Sequence, residues 1–270
     1  MPKVQIATLP CIQDIKDGDI EIRLFGQFNT EIHFHEKVQL VSPEMGTVYL
    51  YSEKGNFCIP AGHYAYISSC VNHKLVSRSH NLKLKTIFLD MCDDRYISDM
   101  GAITIFPPSS LLDNLLAFGE QYWLDNNNYD LKVSGLSYLK KVLPYILTSP
   151  LKLYTQPPQS EALLRVAEHI ASSLNENITI SSISTFINIP QRTLSRLFKS
   201  ETGMTIFQFI KLSRMQMALE LMEDKSLNIN EIVYRIGYES TSTFSNLFKQ
   251  LMGTSPQKYR QDFLTRHGKK

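Results

Sequence analysis

The chain has 270 residues, 43% apolar and 20% charged, the composition of one large or two ordinary globular domains and not of a disordered chain. Net charge is only +2, but residues 1–160 hold 14 Lys and Arg against 16 Asp and Glu (−2), whereas residues 161–270 hold 14 against 10 (+4), which points to an anionic partner for the C-terminal part. No apolar run approaches the roughly eighteen residues of a membrane span, and the N-terminus lacks the apolar core of a secretory signal, so a cytoplasmic protein with no membrane partner is expected. Cys11, Cys58, Cys70 and Cys92 are spaced 47, 12 and 22 apart. Without a C-x-x-C pair they read as reduced thiols, and no metal is assigned to them.

The first hundred residues favour strands. GTVYLYSEKGNFCIPAGHYAYIS alternates Val48 and Leu50 with Thr47, Tyr49 and Tyr51, then turns at SEKGN, the pattern of a β-hairpin. IEIRLFG, KVQLVS and LKLKTIFLD are further strand candidates, and Gly46, Gly55 and Gly62 punctuate them as in a small barrel or sandwich. From PPSSLLDNLLAFGEQYWL onward the period lengthens. Leu111, Leu112, Leu115, Leu116 and Phe118 fall at helical spacing behind Pro107, Pro108 and a Ser suited to capping. SGLSYLKKVLPYIL repeats the trend with Leu136, Leu139, Leu143, Ile146 and Leu147. These two helices fit equally as a cover on the barrel or as a pairing surface for a second copy. SPLKLYTQPPQSE then breaks every periodicity, and Pro150, Pro157 and Pro158 make residues 151–160 read as a short stiff linker between domains at 1–150 and 161–270.

Beyond that linker the sequence repeats. LFKSETG at 197–203 returns as LFKQLMG at 247–253, an offset of 50 (247 − 197). Upstream, Ile180, Ile183 and Ile187 correspond to Ile229, Ile232 and Ile236 at an offset of 49 (229 − 180). One inserted residue later, Leu194, Leu197, Phe198 and Gly203 correspond to Phe244, Leu247, Phe248 and Gly253. Each copy is a helix with apolar residues at i, i+3 and i+7, a tight turn and a second apolar-faced helix. Gly237 supplies the turn in the second copy and Asn188, also tolerant of left-handed geometry, in the first; Pro190 fits the start of the following helix. This is a helix-turn-helix, whose second helix can enter a DNA major groove. Between the copies, TIFQFIKLSRMQMALELMED lacks Gly and Pro. About eighteen helical residues would span roughly 27 Å and could present two recognition helices to successive major grooves about 34 Å apart.

With Leu194, Leu197 and Phe198 buried, the first recognition helix exposes Arg192, Ser195, Arg196 and Lys199, of which Arg suits guanine and Ser or Lys suit bases and phosphates. The second exposes Thr241, Ser242, Ser245, Asn246 and Lys249, a less basic surface suited to phosphate, with Asn246 as a base reader. A generic helical bundle shares the apolar stripes but not this exposed chemistry. Neither face carries paired carboxylates or a nucleophile with its base, so no catalytic residue and no cofactor is assigned.

These residues resemble a family. NINEIVYRIGYESTSTFSNLFKQLMGTSPQKYR is similar to the C-terminal signature of AraC/XylS-type transcription regulators, and IPQRTLSRLFKSETGMTIFQFIKLSRMQMALELM to the first half of that domain, Arg214 and Ala218 included. The resemblance spans about residues 161–261 and implies double-stranded DNA as partner, RNA polymerase as a second, and activation as output. It puts base reading on Arg192, Ser195, Arg196, Thr241, Ser242, Ser245 and Asn246. Where a small residue is usual in the first helix of each motif this chain has Thr185 and Val233, and Pro190 stands where a capping Ser is commoner.

HFHEKVQLVSPEMGTVYLYSEKGNFCIPAGHYAYISSCVNHKL resembles the cupin-like sensor domain of the same family through His33, His35, Gln39, Leu40, Gly46, Gly55, Pro60, Ala65, Ile67 and His73. The resemblance implies a small-molecule effector and a homodimer, with His35, Gln39, Tyr49, Tyr64, Tyr66 and His73 as candidate ligand-pocket residues. Cupin enzymes hold a metal on an H-x-H, a Glu and a later His. Here His33, His35 and His73 with Glu36 or Glu44 keep open the alternative of a metal-dependent enzyme fused to a DNA-binding module. The expected fold is α+β: a cupin-like β-barrel with two accessory helices, then an all-α domain of two helix-turn-helix motifs joined by a long linker helix.

Overall fold

The structure is a computed structural model, and it describes residues 16, 18–91, 101–123 and 128–267. Cys11 and Cys92 fall outside these residues; Cys58 is buried and Cys70 exposed, and neither forms a disulfide among the described residues. The chain divides into two compact units, residues 1–54 with 58–152 and residues 55–57 with 153–270.

Among the described residues the first unit holds β1 (Asp19–Phe25), β2 (Phe28–Asn29), β3 (Val38–Met45), β4 (Val48–Ser52), β6 (Tyr64–Ile67), β7 (His73–Ser77), β8 (Leu82–Leu89), β9 (Ile103–Phe106), α1 (Ser110–Tyr122) and α2 (Tyr129–Ile146), while β5 (Gly55–Ile59) has its first three residues in the second unit. One sheet runs β1-β8-β3-β6-β9 and the other contains β5-β4-β7-β2. The hairpin expected at SEKGN is β4–β5, and the left-handed backbone at Gly46 (φ 86°) and Gly62 (φ 75°) sits in the turns beside β4 and β6.

The central strands β3 and β6 of the first sheet are buried on both faces along most of their length. Strand residues alternate sides, and the register sets Leu40 against Tyr66 and Ile87, and Gln39 against Ile67 and Phe88. Val38, Leu40, Tyr64, Tyr66, Ile87, Leu89 and Phe106 therefore share one face, which packs on Leu112, Leu116, Leu136, Leu139 and Leu143 of the two helices. The helices thus use their leucine stripes as a cover for the sheet. Ser109 caps α1 by accepting from the Leu112 N–H, as its place behind two prolines suggested, and the Tyr64 hydroxyl donates to Asp113 in the first turn. Gln39, Ile67 and Phe88 face the other way, toward the second sheet.

The second unit opens with β10 (Tyr154–Thr155), whose residues pair with Phe57 and Asn56 while the Tyr154 and Phe57 rings stack at 5.4 Å. Residues 151–160 are therefore not simply a linker. Leu153 and Thr155 are buried and alternate with exposed Lys152 and Tyr154, a strand pattern that the surrounding prolines mask in the sequence. Among the described residues seven helices follow: α3 (Glu161–Ser172), α4 (Ile180–Ile187), α5 (Gln191–Thr202), α6 (Ile206–Leu221), α7 (Ile229–Arg235), α8 (Thr241–Met252) and α9 (Pro256–His267). The linker helix α6 has 16 residues, two fewer than expected, and so spans about 24 Å. No helix among the described residues is long and apolar enough to cross a membrane.

Trp123, the chain's one tryptophan, is 3% exposed and lies against Gly119 and Gly135. A Cβ on Gly135 would come within 2.3 Å of the indole. In an open helix Gly→Ala stabilises by about 1 kcal/mol, but overpacking a filled core costs about 1–3 kcal/mol. The indole is rigid and enclosed, so sterics win. Gly135→Ala should lower the urea midpoint followed by Trp123 fluorescence; a raised midpoint would mean that the indole can shift without cost.

Candidate nucleic-acid interface and histidine cluster

The second unit builds both helix pairs from the same parts. Thr179 and Ser182 form a capping box at the start of α4, and Asn228 and Glu231 form one at the start of α7. The turns that follow use left-handed backbone at Asn188 (φ 58°) and Gly237 (φ 77°). The Ile189 N–H then donates to the Ser184 carbonyl at 3.2 Å, and the Tyr238 N–H to the Val233 carbonyl at 3.0 Å. At the offset of 49 (238 − 189) these are the same bond, of the kind that closes a helix on a left-handed residue. The same offset makes half-buried Ser184 the counterpart of buried Val233. Thr185, the small-residue position read from the sequence, is exposed and one residue out of register. Pro190 is the N-cap of α5 and offers no side-chain bond, whereas Ser240 caps α8 by accepting from the Thr243 N–H. Both recognition helices end on a glycine with φ 72°, Gly203 and Gly253.

Burial along α5 and α8 agrees almost residue for residue. Leu194 and Phe198 are fully buried, as are Phe244 and Phe248; Leu197 and Leu247 are half-buried and sit at the rim, not in the core as expected. Arg192, Arg196 and Lys199 are exposed on α5, with half-buried Ser195 beside them; Ser242, Asn246 and Lys249 are exposed on α8, with half-buried Thr241 and Ser245. The spacing i, i+3, i+4, i+7 aligns residues 192, 195, 196 and 199 along one face, and 242, 245, 246 and 249 along the corresponding one. None of these charged side chains enters an ion pair or hydrogen bond among the described residues. Three cations on α5 and one on α8 are thus open to an external anion.

In the first unit, His33, His35, Gln39 and His73 come together. His33 and His73 exchange backbone bonds of 3.0 and 2.9 Å, and their rings lie 4.4 Å apart; His35 lies 5.1 Å from His73 and 5.2 Å from Phe88. Each ring turns Nδ1 to a backbone carbonyl: His33 to Glu31 at 2.8 Å, His35 to Lys37 at 2.5 Å, His73 to Val71 at 2.8 Å. A neutral imidazole that donates from Nδ1 keeps only a lone pair at Nε2. The end of the Gln39 amide stands 2.8 Å from His35 Nε2 and 3.1 Å from His73 Nε2. It serves both only by presenting its NH2 group, one hydrogen to each ring. With the carbonyl oxygen there instead, two cationic rings would sit side by side in a buried site, at a large desolvation cost. His33 Nε2 is buried and has no hydrogen-bond partner among the described residues. Sequence reasoning named His33 only as a metal candidate, although the H-x-H period already put it beside His35.

Three of the expected pocket residues lie elsewhere. Tyr64 and Tyr66 are on the helix-facing side of the first sheet, because their strand positions alternate with Ala65 and Ile67. Tyr49 alternates with buried Val48 and Leu50, and its ring meets the Arg78 guanidinium at 5.9 Å. The carboxylates suggested for a metal are also elsewhere. Glu36 is exposed, and Glu44 pairs with Lys83 at 3.0 Å and Lys85 at 2.8 Å. Among the described residues no group of three His, Cys, Asp or Glu side chains is arranged to hold a metal ion.

Burial holds the His73 ring at about 3, below the ordinary 6.5; the bond to the Val71 carbonyl opposes this, and His33 and His35 add to it. His33 is lowered as well, again mainly by burial. Between pH 6.5 and 3 the unfolded chain carries a proton on His73 that the folded chain does not. The stability that depends on the neutral ring is therefore complete above pH 6.5 and is lost as pH falls toward 3. One such proton gives a slope of up to about 1.4 kcal/mol per pH unit. Urea unfolding followed at Trp123 should lose stability across that window more steeply in the wild type than in His73→Gln. Equal slopes would remove His73 as the buried neutral group.

Residues 183–262 match the family model described as a helix-turn-helix domain. Over 251 residues the chain is 23% identical to LumQ of Photobacterium leiognathi, a probable transcriptional regulator, covering 92% of this chain and 98% of that one. It is 32% identical over 109 residues to the transcriptional activator RhaR of Cronobacter sakazakii, 40% of this chain and 38% of that one. It is 30% identical over 88 residues to PqrA of Proteus vulgaris, a probable transcription factor, 33% of this chain and 72% of that one. The chain thus spans nearly all of LumQ but well under half of RhaR. Two capped helix pairs with matched turns, and open polar faces on the second helix of each, agree with these relatives: the chain belongs to the AraC/XylS family of DNA-binding transcriptional regulators.

Proposed function

We propose that the protein is a cytoplasmic transcription activator that reads two successive major-groove segments with α5 and α8, and that its first unit binds a small molecule and pairs with a second copy. The observation that carries this reading is the matched pair of polar faces on α5 and α8, whose cations have no acceptor within the described residues. Arg192 and Arg196 are the base readers of α5, with Ser195 beside them; Lys199 meets phosphate. On α8, Asn246 reads a base, Thr241, Ser242 and Ser245 make short polar contacts, and Lys249 neutralises phosphate.

Activation is supported by the likeness to RhaR, a transcriptional activator; RNA polymerase is the partner that activation would call for. Binding rather than catalysis is supported by relatives that are regulators. The effector reading rests on His35, Gln39 and His73. With the Gln39 NH2 group spent on two rings, its carbonyl oxygen and the unpartnered His33 Nε2 are both acceptors, which suits a small molecule that carries a hydrogen-bond donor. Pairing is supported by the outer face of α2, where Leu131, Tyr138 and Tyr145 recur every seven residues at 41%, 49% and 83% exposure.

The test separates base reading from phosphate contact on DNA selected by the wild type from a random pool. A bidentate Arg–guanine contact is worth about 1–3 kcal/mol of discrimination, so Arg196→Ala should relax the preferred base at one position. Lys249→Ala should weaken binding about equally on all sequences and lower the salt slope by about one ion. Competition titrations of both variants against base-substituted duplexes at several salt concentrations read the two effects. Uniform loss in Arg196→Ala together with altered base preference in Lys249→Ala would mean that the reading faces are rotated from those assigned.

A further inference from the structure

The two helix-turn-helix copies differ where they join. At the offset of 49, Arg214 on α6 is the counterpart of Arg165 on α3 (214 − 165). Each guanidinium lies over an aromatic ring of its own copy, Arg165 over Phe186 at 5.8 Å and Arg214 over Tyr238 at 5.4 Å. Only Arg214 does more. Its Nε donates to the Leu174 carbonyl at 3.0 Å and its Nη2 to the Glu176 carbonyl at 2.8 Å, both in the loop between α3 and α4. One side chain therefore holds the first copy by two backbone carbonyls and the second by the ring that follows its turn.

Gly237 completes the joint. A Cβ there would lie 2.4 Å from the Leu174 carbonyl oxygen and 2.6 Å from Arg214 Nη2. Asn188, the corresponding residue of the first copy, is exposed and carries a side chain. The two turns share φ and hydrogen bonding, so left-handed geometry alone does not demand glycine at the second. The close approach of the first copy's backbone does.

We infer that the Arg214–Gly237–Tyr238 joint fixes the separation and rotation of α5 relative to α8, and so makes Arg214 the residue that sets the spacing between the two base elements without itself touching DNA. This rests on the proposal that both helices read DNA. A shift of one base pair moves an element by about 3.4 Å and about a tenth of a turn, more than a hydrogen bond tolerates, so a rigid joint should make spacing matter.

The experiment uses the full chain and duplexes carrying the two elements selected by the wild type, at their selected spacing and with one or two base pairs added or removed. A third duplex keeps only the element read by α5. For the wild type, each one-base-pair change should cost about tenfold in affinity, the loss of roughly one bidentate contact. Arg214→Gln should lose affinity at the selected spacing, flatten the spacing profile to within about threefold, and bind the single-element duplex as the wild type does. Gly237→Ala, which attacks the same joint from the other side, should flatten it too. If Arg214→Gln weakens all duplexes by one factor and keeps the wild-type profile, Arg214 is only a structural side chain and the inference fails. If both variants are unfolded by circular dichroism, Arg214→Lys, which keeps the charge but not the two-carbonyl fork, replaces Arg214→Gln; an unchanged profile there overturns the inference. If the wild type itself selects a single element, the two-helix reading fails, and that outcome is distinct from a two-element site whose spacing ignores Arg214.

Discussion

A chain that turns between two helices within a few residues needs one residue in the left-handed region, and the reading surface of the second unit depends on where that residue falls. A helix advances about 100° per residue, so a start displaced by one position would rotate Arg196 from the exposed face toward the core. The repeat contains such a displacement, because its offset changes from 49 to 50. It does no harm because of its location. The extra residue lies between Tyr238 and Thr241, where the backbone is extended at the Ser240 N-cap, against a single Pro190 in the first copy. Extended backbone absorbs the insertion, and both apolar stripes arrive on the same side.

The same logic explains what could and could not be read in advance. α4, α5, α7 and α8 were legible because each has one wet face, so polarity marks its rotation. α9 was not anticipated, although Ser255 stands 50 residues after Thr205 and caps its helix in the same way, accepting from the Lys258 N–H as Thr205 does from Gln208. In the first unit the strands were legible but their faces were not. YAYI of β6 is buried throughout because helices cover one side and the second sheet the other, so no polar residue marks which tyrosine sees which side. Tyr64 and Tyr66 lie on the helix-facing side, away from the histidines, whereas His35, Gln39 and His73 come together, since a polar residue inside a strand run needs a polar neighbour. Nor did composition reveal β10: three prolines outweigh two residues of pairing in any count, but not in the hydrogen bonds.

The histidine cluster follows from that need for partners. Three imidazoles can share a buried site only if most are neutral, and a neutral ring must be told which nitrogen keeps its proton. Here the backbone does so, through carbonyls two residues away in each case: Glu31, Lys37 and Val71. Local chain geometry thus turns every Nε2 lone pair toward the interior, and Gln39 answers two of the three. The remaining acceptor is a consequence of arithmetic: one amide has two hydrogens, and there are three rings.

Under the proposed reading the two recognition helices cannot contribute equally. α5 carries three open cations, each able to release a counterion from DNA, while α8 carries one and otherwise offers hydroxyls and an amide. Short polar side chains of this kind bind weakly as separate contacts, because each must first exclude water and lose its own freedom. They gain weight only if the second motif is already in position when the first has bound, which converts its contacts into intramolecular ones at high effective concentration. α6 supplies that condition. Its 16 residues contain neither Gly nor Pro, and Thr205 and Gln208 close its first turn with a capping box. A flexible connection of the same length would deliver α8 over a wide volume and dilute its contribution. The weaker face is thus the one that most needs a rigid connection.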